Sequence, residues 1–117
     1  LNAPKQTVVS GAPDALEAEE QLRLERERLL ADLEAADARV QAARKQFAAA
    51  EKRARLAGES RGFFEKSFRM GETDLPTRLR IELEAVEAEK QASRARIDLA
   101  AAISALRQAL GLLPEQK

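Results

Sequence analysis

The chain contains no cysteine, no histidine, no tryptophan and no tyrosine. Without cysteine there are no disulfides, and without either cysteine or histidine the usual zinc and copper sites are excluded. The redox compartment stays open, because a cysteine-free chain suits both the bacterial cell envelope and the cytosol. Aromatic content is 3%, all of it phenylalanine, in 117 residues. A compact globule fills its centre with larger side chains, so an elongated single domain is expected. Base-stacking platforms are poorly supplied. Charge of one sign is also missing: 20 basic residues balance 20 acidic ones. A nucleic-acid binder needs a basic surface to displace counterions, and none is expected here. No run of 18 apolar residues is present to span a membrane as a helix. Residues 1–13 have neither the basic start nor the apolar core of a signal peptide, so an exported protein would be represented here by a mature or excised piece.

What the chain does have is alanine, glutamate, leucine and arginine at helical spacing, the composition of coiled coils and long helices. Residues 1–13 carry two prolines and a glycine and read as a linker or disordered segment ahead of a helical hairpin domain over 14–117. Asp14 can cap the first helix, with Glu17 in the capping-box position. From there one stripe runs Leu22, Leu29, Leu33, Ala36, Val40, Ala43, Phe47, Ala50, Ala54 and Ala57, and its register continues to Phe64 and Phe68. After Leu29 its steps alternate four and three, a heptad seam. Gly58 and Gly62 weaken the helix by about 1 kcal/mol each relative to alanine. They mark a kink or break, or else permit close helix approach.

Gly71 reads as the left-handed residue that ends helix 1. Thr73 or Asp74 can cap helix 2, and Pro76 is tolerated in its first turn. Gly111 and Pro114 supply stop signals. The second seam is Ile81, Ala85, Ala88, Ala92, Ala95, Leu99, Ala102, Leu106 and Ala109. The expected fold is therefore all-α, a long antiparallel coiled-coil hairpin with helix 1 about 14–70, a turn at 71–76 and helix 2 about 77–110. Helix 1 would be roughly 85 Å long and helix 2 roughly 50 Å. Pairing about the turn sets Val40 near Ala105 and leaves Asp14 to about Leu30 without a partner. Either helix 1 bends, or another chain or further part of the protein covers that overhang, since a single exposed helix is marginal.

Each helix carries a second apolar stripe: Ala31, Ala35, Ala38, Ala42 and Ala49 in helix 1, and Leu79, Leu83, Val86, Ile97, Ile103 and Leu110 in helix 2. Two stripes per helix suit a multi-helix bundle or tube, and self-association through the seams, whereas alanine also fills neutral surface. Carboxylates at helical spacing with Arg or Lys, such as Glu51 with Arg55, read as solvated faces. No nucleophile–base pair, phosphate loop or metal-ligand spacing is present, so neither an enzyme nor a cofactor is expected. Helix 1 is acidic from Asp14 to Asp37 and basic from Arg39 to Ala57, which can order neighbouring helices or be plain surface patterning.

Three features carry a resemblance. They are Phe68-Arg69-Met70-Gly71, the acidic-polar turn GETDLPTRL that follows, and an alanine-rich helix closing on ALGLLP at Ala109–Pro114. In these the chain resembles the TolC family of outer-membrane efflux channels, most of all the heavy-metal efflux branch, over roughly Ala35 to Pro114. The resemblance implies one of the two hairpin repeats that each protomer of a trimer gives to a periplasmic helical tube. Phe68, Gly71, Thr73, Leu75 and Leu79 would sit at the periplasmic mouth, against a periplasmic adaptor (membrane fusion) protein of a tripartite pump. It implies the periplasm and outer membrane of a Gram-negative bacterium. The membrane itself would be met only through barrel segments that this chain lacks, so it would be an excised fragment or a barrel-less relative. The competing expectations are the hairpin of the adaptor itself and a non-enzymatic coiled-coil scaffold or dimerisation module.

Overall fold

The computed structural model describes residues 3–113, with side chains from Asp14 to Leu113. Residues 1–2 and the stop signal at Pro114 lie outside the described residues, whereas α1 starts at Ala3 and not at the expected Asp14, so most of the segment expected as a linker over 1–13 is helical backbone continuous with α1. Two helices form an extended antiparallel hairpin, α1 over Ala3–Arg69 and α2 over Leu75–Gly111. There are no strands among the described residues. The molecule is a rod of 104 × 30 × 13 Å.

The helices pair along the two seams with the expected register. Ala36, Val40, Ala43 and Ala50 of α1 are buried, as are Ile81, Ala85 and Ala92 of α2. Between and beyond them Phe47, Ala54, Ala57, Phe64, Ala88, Ala95, Leu99 and Leu106 are half-buried. Most buried positions are alanines, which let the two helix axes approach closely. Each alanine removes little area from water, so the seam is continuous but thin. Arg96 supplements it by laying its guanidinium over the Phe47 ring, 5.6 Å from the centroid.

Three further expectations are corrected. Helix α1 runs unbroken through Gly58 and Gly62, so neither a break nor a close approach explains them. A Cβ added to either would meet nothing within 4 Å. Their cost in propensity is offset by seam packing on both sides, since tertiary contacts carry most helical stability in proteins. At the turn, α2 begins at Leu75, earlier than expected, because Asp74 caps it and Pro76 lies within its first turn. At the far end Gly111 belongs to α2 and Leu112 is the C-cap. Among the described residues the only positive φ is that of Gly71, so Gly111 does not stop the helix by turning left-handed.

The end of α2 fixes where pairing stops. Leu106 and Leu110 line a notch with Leu33, Glu34 and Asp37 of α1. Ahead of that point Leu29 is half-buried, and every other side chain from Asp14 to Asp32 is exposed, Leu22 at 62%. The overhang is thus a single helix with no neighbour among the described residues. The second stripes are also open. All five alanines of the α1 stripe are exposed, and so are Leu79, Leu83, Val86, Ile97 and Leu110 of α2, with only Ile103 half-buried.

Candidate functional site: the hairpin tip

At the tip the backbone is closed from both sides. Gly71 has φ +76°. Its N–H donates to the Phe68 carbonyl at 3.0 Å, and the Glu72 N–H donates to the Ser67 carbonyl at 2.9 Å. This pair of bonds is a Schellman motif, and it satisfies carbonyls that the end of α1 would otherwise leave open. The hydrophobic contact that often accompanies such a motif is replaced by a polar one, a hydrogen bond between the hydroxyls of Ser67 and Thr73.

Asp74 then opens α2. Its backbone is extended (φ −78°, ψ 164°), and its carboxylate accepts from the Thr77 N–H at 3.0 Å. Pro76 stands where an N–H would have no helical partner, so nothing is lost by its ring. Hydrogen bonds from Thr77, its hydroxyl first and its backbone N–H second, hold the Asp74 carboxyl below the ordinary aspartate value of 3.8. A depressed carboxylate stabilises the fold above its unfolded value, and that stabilisation is lost as pH falls through the lower folded value. Asp74→Ala should lower the melting temperature at neutral pH by about 4 °C. The gap between wild type and variant should stay constant down to about pH 5 and close below pH 4. Asp74→Asn, which caps without titrating, should keep the cap and lose that pH dependence; thermal melts followed by circular dichroism across pH 2.5–7 read both.

Of the five residues placed at the tip from sequence, three build the turn and two face solvent. Gly71 supplies the reversal. Thr73 is half-buried on Ser67. Phe68 is half-buried, with the Arg78 guanidinium 4.6 Å from its ring centroid, which ties the last turn of α1 to the first turn of α2. Leu75 and Leu79 are exposed, at 52% and 53%. Met70 at 72% and Phe63 at 68% are exposed as well, and neither was singled out from sequence. Phe63 meets Phe64 edge to face at 5.3 Å. Ser67 and Arg78 were missed too. The available signal was a hydroxyl on each side of the turn glycine, and an arginine in the first turn of α2 able to reach back to an aromatic.

The tip is therefore a rigid, capped reversal that carries exposed apolar side chains, Met70, Leu75 and Leu79, over a polar notch lined by Gly71, Glu72, Thr73 and Asp74. It offers shape and apolar contact. Among the described residues no cluster of three or more acidic side chains could hold a metal ion, and no helix is long and apolar enough to cross a membrane. Compared with known protein families, with curated proteins and with solved structures, the chain matched nothing.

Proposed function

We propose that this chain is the periplasmic helical hairpin of a TolC-like outer-membrane efflux channel, and that its tip contacts the periplasmic adaptor of a tripartite pump, in the branch that exports heavy-metal cations. The reading rests on the resemblance of Phe68–Arg80 and Ala109–Pro114 to that family. One observation supports it most: Leu75 and Leu79 stand exposed on a reversal held by Gly71, Asp74 and the Ser67–Thr73 bond, at the end of a rod 104 Å long. Side chains that ordinary packing would bury are instead presented end-on by a stiff support, which lowers the ordering cost of docking. The open outer stripe of α2, Leu79, Leu83, Val86 and Ile97, is what a hairpin with lateral neighbours in a tube requires.

The chain has no cysteine, so single cysteines placed from Gly71 to Leu79 report tip contacts without background. Crosslinking from these positions to a purified adaptor hairpin is expected, strongest at 75 and 79. Leu75→Asp with Leu79→Asp should weaken binding at least tenfold, by removing two apolar anchors, and leave helicity unchanged. Absence of crosslinks to every candidate adaptor would overturn the proposal.

A further inference from the structure

The chain contains a single methionine and neither cysteine, tryptophan, tyrosine nor histidine. The Met70 thioether is therefore its only sulfur, and no thiol, indole, phenol or imidazole elsewhere in the sequence competes with it for an oxidant. That sulfur is placed at the apex. Met70 is the residue before Gly71, and at 72% it is the most exposed large apolar side chain among the described residues. Its backbone is held on both sides. The Met70 N–H donates to the Lys66 carbonyl at 3.1 Å, and the next N–H, that of Gly71, closes on Phe68 at 3.0 Å. A fixed backbone thus presents a free, flexible thioether beside the exposed Leu75 and Leu79.

We infer that Met70 is a site of reversible oxidation, and that its sulfoxide releases the tip from its docking partner. The inference rests on the proposed docking of the tip. The oxidant is of the two-electron class, with hypochlorous acid as the example. Its oxygen is transferred to the thioether sulfur, a sulfur–oxygen bond forms and the oxygen–chlorine bond breaks. Sulfur gives up two electrons, chlorine takes them and leaves as chloride, and the proton of the acid is released. The product is methionine sulfoxide, which methionine sulfoxide reductases return to the thioether. The change turns an apolar, adaptable side chain into a polar one that holds water. At a contact made by Met70, Leu75 and Leu79, that places a polar group where the partner supplies apolar surface.

The fold itself is spared. The bonds that close the turn run through the backbone at Gly71 and Glu72, through the hydroxyls of Ser67 and Thr73, and through Asp74 to Thr77. None of them uses the Met70 side chain, which already stands in solvent. Oxidation therefore alters what the tip presents and leaves the reversal in place, so the melting temperature of the oxidised chain should match that of the parent.

The test treats the purified chain with one equivalent of hypochlorous acid and maps the product by mass spectrometry. One added oxygen on Met70 is expected, formed as fast as on methionine in a short peptide of the same local sequence. Titration against a purified adaptor hairpin should then show binding weakened about tenfold, and methionine sulfoxide reductase should restore it. Met70→Leu keeps an apolar side chain without sulfur, so it should bind like the parent before and after oxidant. Met70→Gln, polar and of similar length, should bind as weakly as the sulfoxide. Slow oxidation of the folded chain, equal loss of binding in Met70→Leu, or parent-like binding by Met70→Gln would each overturn the inference. Capture that survives oxidation of Met70 would overturn this inference alone. No capture by the untreated chain would overturn the docking of the tip, and this inference with it.

Discussion

Ala85→Glu is expected to abolish the cooperative melting of the paired hairpin. Ala85 is the most deeply buried residue of the seam, 1% exposed, in a contact plane built largely of alanine. A glutamate there needs space that closely approaching helix axes do not leave, and it places a carboxylate where no described group is arranged to pair with it. The two effects together cost roughly 3–4 kcal/mol. That is a large share of what a domain of this size holds in reserve, about 5–15 kcal/mol. It weighs more here because among the described residues no large side chain is fully buried. Melting followed by circular dichroism at pH 7 should show the sharp transition replaced by a broad, low-temperature loss of helix. Ala100→Glu, on an exposed position of the same helix, should stay within about 0.5 kcal/mol of the parent. Equal melts for the two variants would mean that the helices do not pair through this seam.

Gly71→Pro is the second change with a large effect. Proline fixes φ near −65°, where the turn needs +76°. It also removes the N–H that donates to the Phe68 carbonyl at 3.0 Å. The expected loss is about 3 kcal/mol or more, with the Ser67–Thr73 bond and the Arg78–Phe68 contact broken as α2 leaves at another angle. Gly71→Ala isolates the backbone part of this. A Cβ at Gly71 meets nothing within 4 Å, so its cost is conformational alone, about 1–2 kcal/mol. Chemical denaturation of the three chains should rank them parent, alanine, proline. An alanine variant as stable as the parent would show that the turn does not hold the reversal seen here. If the tip docks as proposed, Gly71→Pro should also abolish adaptor capture.

Much of this fold could be read in the residues themselves. The alternation of four and three from Leu29 through Ala57, and again from Ile81 to Ala109, matches the buried and half-buried positions of both helices. It is legible because the period of an α-helix converts spacing into a face without any knowledge of the partner. Gly71 was legible for a similar local reason, since only glycine takes φ +76° at no steric cost. Thr73 and Asp74 looked equally able to cap α2. Their roles separate only once the Schellman turn brings Ser67 within reach of Thr73 and leaves Asp74 to Thr77. The exposed apolar residues of the tip were half legible. Leu75 and Leu79 follow the turn, but Met70 and Phe63 read as a continuation of helix until the structure turned them outward.

The sequence by itself determined the all-helical class, the seam register and the site of reversal, because each follows from steric preferences and periodicity within a few consecutive residues. Only the tertiary structure decided that Gly58 and Gly62 lie in an unbroken helix, that Asp74 is the cap, and that the described residues leave the overhang and all of the outer stripes but Ile103 exposed. Those outcomes depend on what stands opposite each residue, which spacing along a single chain does not encode.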